Sequence, residues 1–86
     1  MIITLLVSEI EELDKTLPEH RRHGGFQSYM VELQDRLNRD SREIDLAHKD
    51  LVKINRYASY TSGGYQTRLR KIFGRTLGRY LAGLHR

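Results

Sequence analysis

The sequence predicts an all-α fold, a compact four-helix domain read as two units of helix, glycine-pair turn and helix. Three observations predict it. Apolar residues recur at helical spacing in four separate segments. A Gly-Gly-aromatic-Gln-hydroxyl motif occurs twice, as Gly24 to Ser28 and as Gly63 to Thr67, 39 residues apart. Finally, the 86 residues contain no cysteine and 30% charged residues, which suits one small helical domain with a solvated surface.

The first helix is expected over residues 3–17. Ile3, Leu6, Ile10, Leu13 and Leu17 are spaced 3-4-3-4, which keeps them on one face. Pro18 should end it, because proline cannot continue the hydrogen-bond ladder. A connector follows, and a second helix is expected over 26–38 on Phe26, Tyr29, Met30, Leu33 and Leu37. Residues 38–45 read as a polar loop, with Ile44 and Leu46 tucked inward and Asp45 as the N-cap of the third helix. That helix should cover 46–59 and bury Leu51, Ile54 and Ala58. The last is expected to start near Tyr65 and reach Leu84, with Leu69, Ile72, Phe73, Leu77, Tyr80 and Leu81 on its apolar face. A kink or early fraying near Gly78 is expected from the low helix propensity of glycine.

In the repeated motif, paired glycines permit a tight turn. The aromatic anchors the first helical turn, and the Gln and hydroxyl side chains can satisfy free amides at the helix start. Those amides could also receive a phosphate, although the Gly-Lys-Ser/Thr ending of a P-loop is absent.

Charge is unevenly distributed. Residues 1–43 carry a net −3 and residues 44–86 a net +7, with no acid after Asp50. This asymmetry suggests an anionic partner or attraction between copies. Arg68, Lys71, Arg75 and Arg79, spaced 3, 4 and 4, form one stripe on the last helix. Arg70 flanks it, and Lys53 and Arg56 extend it from the third helix. The third helix, the Gly63-Gly64 turn and the fourth helix have the outline of a helix-turn-helix. Gln66, Thr67, Arg68, Arg70 and Lys71 would then lead the recognition helix.

Other chemistries find little support. His20 and His23, with Glu19 adjacent, offer at most half a zinc site, and no metal or other cofactor is expected. The carboxylates are not paired with a nucleophile, so no enzymatic activity is expected. The apolar start lacks a positively charged segment and a cleavage site, and no run is long enough to span a bilayer. A cytoplasmic location away from membranes is the expectation.

The paired motif, with Ile44-Asp45-Leu46, Arg56-Tyr57-Ala58 and Ile72-Phe73-Gly74-Arg75, resembles small proteins of bacterial and phage genomes across residues 24–78. The resemblance implies a phage or mobile-element accessory protein, a class in which inhibitors of host defence, including anti-CRISPR proteins, are common. Two expectations follow. The first is a helical protein that binds DNA, RNA or a nucleoprotein complex through the basic stripe. The alternative is an inhibitor that contacts a host defence protein. A homodimer formed through the apolar first helix is a third arrangement.

Overall fold

Alternation, not helical spacing, governs the first five residues. The computed structural model describes residues 1–60 and 63–85, and the side chains of Arg21, Arg22, His23 and His85 lie outside the described part. Ile2–Thr4 form a strand, β1, paired antiparallel with a second strand, β2, at Glu43–Asp45. The register is Ile2↔Asp45, Ile3↔Ile44 and Thr4↔Glu43. Side chains on a strand alternate between faces. Ile3, Leu5, Ile44 and Leu46 are accordingly buried, while Ile2, Thr4, Glu43 and Asp45 face outward.

The helix expected over 3–17 is therefore corrected to β1 plus a short helix α1, Val7–Leu13. β-branched Ile2, Ile3 and Thr4 suit a pleated surface, and Ile44 gives Ile3 a cross-strand partner. The Glu9 carboxylate then accepts the Leu6 N–H at 2.8 Å and fixes the helix start. Only part of the expected apolar seam reaches the core. Leu13 is fully buried and Ile10 half-buried, but Leu6 and Leu17 are 48% and 46% exposed. Pro18 ends no helix. It opens a 3-10 segment, Pro18–His23, at a position where its missing N–H is harmless.

Helix α2 spans Gly25–Arg36 and buries Phe26, Tyr29, Met30, Val31 and Leu33. The segment expected as a plain loop holds a tight turn and then β2. Asn38 Oδ1 accepts the N–H groups of Asp40 and Ser41 at 3.0 and 3.2 Å. Arg42 adopts a left-handed φ of 62° before the strand begins. Ile44 and Leu46 point inward, as expected.

Helix α3 spans His48–Ala58. Its N-cap is Ala47, not Asp45, which sits in β2 beside the terminal ammonium of Met1. The capping carboxylate comes from inside the helix, where Asp50 accepts the Ala47 N–H at 2.7 Å. Asp50 is only 3% exposed and also binds both terminal nitrogens of Arg36, at 2.9 and 2.8 Å, and the Tyr29 hydroxyl at 2.9 Å. The Arg36 bonds hold the Asp50 carboxyl well below the usual carboxylate range, against the opposing effect of burial, with help from Ala47 and Tyr29. Burial, reinforced by Asp50, pushes the Tyr29 phenol well above its ordinary value. This network locks α2 to the start of α3.

Helix α4 spans Tyr65–Leu77 and stops at Gly78, short of the expected Leu84. The chain then turns back as a 3-10 segment, Ala82–His85, that packs on α3 and α4. Leu81 and Leu84 still reach the core through this turn, whereas Tyr80, placed by spacing on the apolar face, is 58% exposed. At Gly83 a Cβ would lie 2.7 Å from the Asn55 carbonyl oxygen, so the return segment needs glycine there. The domain is thus mostly helical, with a two-stranded sheet at one side. One core joins Leu5, Leu13, Met30, Leu33, Ile54, Leu69, Ile72, Phe73 and Leu77.

The aromatics of the two glycine-pair motifs meet, but the motifs differ in backbone. Phe26 and Tyr65 stack on each other, with ring centroids 4.1 Å apart and planes at 16°. Met30 and Leu33 are fully buried, as are their counterparts Leu69 and Ile72. Yet α2 starts on Gly25 after Gly24 at φ 144°, while α4 starts on Tyr65 after Gly63 and Gly64 at φ 85° and 74°. Thr61 and Ser62 of the second turn lie outside the described residues. Both N-cap residues are glycines and supply no side-chain cap, and Gln66, expected to satisfy those amides, instead donates to the Gly83 carbonyl at 3.0 Å.

Candidate nucleic-acid interface

The side of α4 that carries Arg68, Lys71, Arg75 and Arg79 packs against α1, and α1 supplies the acids that the second half of the sequence lacks. Arg75 forms a forked pair with Glu9, at 3.2 and 2.9 Å, and also donates to the Thr4 carbonyl at 2.7 Å. Arg68 is more enclosed. It donates to Glu12 Oε2 at 3.3 Å, to the Glu12 carbonyl at 2.7 Å and to Thr16 Oγ1 at 2.5 Å. Its guanidinium also lies 5.9 Å from the centre of the Phe26 ring.

Glu12 is buried, which disfavours its charge. Hydrogen bonds from Lys15 and Arg68 outweigh that effect and hold its carboxyl below the ordinary range. Lys71 reaches Glu12 only at 3.9 Å and keeps 60% of its side chain exposed. The stripe is therefore divided. Arg68 and Arg75 fasten α4 to α1, Lys71 is held loosely, and Arg79 is exposed with no carboxylate within 4 Å among the described residues.

The leading end expected for a recognition helix is divided in the same way. Gln66 and Arg68 turn into the fold. Thr67, Arg70 and Lys71 are exposed, although the Arg70 Nε donates to the Leu84 carbonyl at 3.1 Å.

The outward face of α3 differs. Lys49, Lys53 and Arg56 are spaced 4 and 3, which at 3.6 residues per turn forms one stripe on the helix, and Tyr60 follows two residues after its last residue, Ala58. The one acid of α3, Asp50, is turned inward and saturated by Arg36, Tyr29 and Ala47. No carboxylate lies within 4 Å of the Lys49, Lys53 or Arg56 charge among the described residues. Lys53 Nζ sits 4.7 Å from the centre of the Tyr29 ring, which orients it without neutralising it. Val52, 48% exposed, lies beside the stripe.

Tyr60, 45% exposed, lies just beyond the end of the helix and is held by two neighbours. Its ring meets Tyr57 edge-on at 5.7 Å and Tyr65 at 5.8 Å. Spacing in the sequence marks Lys53 and Arg56 only as extensions of the α4 patch and misses Lys49. The signal for Lys49 is its 4-3 spacing with Lys53 and Arg56, weakened by Asp50, whose inward orientation depends on Arg36 of another helix.

No pocket opens among the described residues, so the candidate interface is an open helical face. The described residues also contain no cluster of three potential metal ligands, and the His23 side chain of the suggested half-site lies outside them. No described helix is long and apolar enough to cross a membrane. Comparison with known proteins finds no matching family model, no similar curated protein and no similar solved structure.

Proposed function

We propose that this chain is a non-enzymatic binding protein that engages nucleic acid, or a nucleic acid–protein complex, through basic helical surface. The observation that carries the reading is the row Lys49, Lys53 and Arg56 on α3, which meets no carboxylate among the described residues, with Arg79 and the loosely held Lys71 as further charge from the α4 stripe. Phosphate neutralisation by such a row releases counterions, so affinity should fall steeply with salt. A salt-titrated binding assay with labelled DNA and RNA tests this. Expected is a log–log slope corresponding to about three phosphate contacts, at about 0.7 to 0.9 per contact. A flat salt dependence, or no binding at low salt, contradicts it.

A second reading has its own support. Ile2, Leu6 and Val7 are 64%, 48% and 56% exposed within a short stretch of chain, more apolar surface than a solvated terminus needs. A protein partner there suits an inhibitor of a host defence protein, or pairing of two copies through the first helix. Val7→Glu should then dissolve a stoichiometric complex seen by light scattering. An unchanged mass would remove this reading.

A further inference from the structure

We infer that the ligand of the α3 face is single-stranded nucleic acid, with Tyr60 as a base-stacking platform at the end of the cation row; this rests on the nucleic-acid reading above. The inference comes from what lies among the charges. A duplex offers phosphates and sugars to a helical face and hides the flat faces of its bases. The row on α3 is not purely cationic. Val52, on the same helix between Lys49 and Lys53 in sequence, and Tyr60, just past the helix end after Arg56, are each nearly half exposed. Apolar and aromatic surface in those places finds no partner on a duplex backbone, but it matches the unstacked bases of a single strand.

Tyr60 is suited to the role in two further respects. It is not needed to fill the core, since the core is complete without it. Yet its ring is not loose, because Tyr57 and Tyr65 brace it from two directions and those rings in turn pack on Phe26. A pre-positioned ring loses little freedom when a base stacks on it. Arg56, four residues earlier and without a carboxylate partner among the described residues, is placed to meet the adjoining phosphate or to stack through its guanidinium plane.

The test is fluorescence anisotropy of the intact chain with a labelled 20-nucleotide thymidine strand and with a 20-base-pair duplex, at several salt concentrations. The single strand should bind at least tenfold more tightly. Tyr60→Leu, which keeps apolar bulk without a ring, should weaken single-strand binding about tenfold, consistent with the usual worth of one stacked base. Its salt slope should be unchanged, because no charge is lost, and Tyr60→Phe should bind as the parent does. Equal or tighter duplex binding, or Tyr60→Leu within twofold of the parent, overturns the single-strand inference while leaving the α3 face as a nucleic-acid surface. Absence of binding to either ligand at low salt overturns both.

Discussion

Helices α3 and α4 carry cationic stripes of similar spacing, and the fold uses them differently. On α4, Arg68 and Arg75 meet Glu12 and Glu9 of α1, which the chain places some sixty residues earlier. On α3, Lys49, Lys53 and Arg56 meet no carboxylate among the described residues, and the helix's own acid is committed to Arg36. The contrast shows that charge asymmetry along a sequence is a poor guide to charge on a surface. The −3 first half and the +7 second half are partly cancelled against each other in space. Replacing all four cations of the α4 stripe would therefore mix a change in binding with a loss of stability.

The largest expected effect tests the anchor that frees α3. Asp50→Asn leaves Arg36 with only the exposed Glu32 carboxylate at 3.2 Å and weakens the cap at Ala47, and should destabilise the domain by about 3 kcal/mol near neutral pH, read by urea unfolding. The folded-state pKa of Asp50 lies below its unfolded value, so its contribution is complete above about pH 4 and is lost as pH falls through the lower, folded value. The gap between parent and variant should accordingly narrow as pH drops below about 4. A gap that stays constant would separate the network from the stability it is credited with.

A smaller loss, about 2 kcal/mol, is expected for Arg68→Ala, because the buried Glu12 then keeps only its lysine partners. Arg75→Ala, at a more exposed pair, should lose less than Arg68→Ala in the same unfolding experiment. The reverse order would mean that the exposed fork, not the enclosed one, fastens α4 to α1. Gly83→Ala should destabilise by about 1 to 2 kcal/mol, since its Cβ meets the Asn55 backbone. Smallest of all, Lys49→Ala, Lys53→Ala and Arg56→Ala should each leave stability within about 0.5 kcal/mol of the parent. A large loss at Lys49 or Arg56 would show that these charges have structural partners after all.

The sequence made most helices legible, and the reasons for the misses are physical. Leu33, Leu37, Leu69, Ile72 and Phe73 follow helical spacing because each faces one continuous core. Ile3 fits both a helical and an alternating pattern, and only the distant Ile44 decides between them. The end of α4 was only hinted at, since the helix expected to reach Leu84 with a kink or fraying near Gly78 ends there instead. The return that buries Leu81 and Leu84 depends on Gly83 fitting against Asn55, which no local pattern reports.

The candidate site was harder to read than the fold. Arg56 and Lys53 were visible as basic residues near the second glycine pair. Their availability, and the commitment of Arg68 and Arg75, followed only from which acids lie across the core. The repeated motif gave a similar partial answer. Its aromatic residues do meet, Phe26 on Tyr65, but its glycine pairs adopt different conformations.

The most direct test of the central claim compares two variants in one salt-titrated assay against a labelled single strand. One is Lys49→Ala/Lys53→Ala/Arg56→Ala on α3, and the other is Lys71→Ala/Arg79→Ala on α4. Both should unfold at denaturant concentrations close to the parent's. The α3 variant should lose most of its affinity, and its salt slope should fall by about 2, at about 0.7 per phosphate contact. The α4 variant should change far less. Loss of binding confined to the α4 variant would contradict the assignment and return the interface to the last helix.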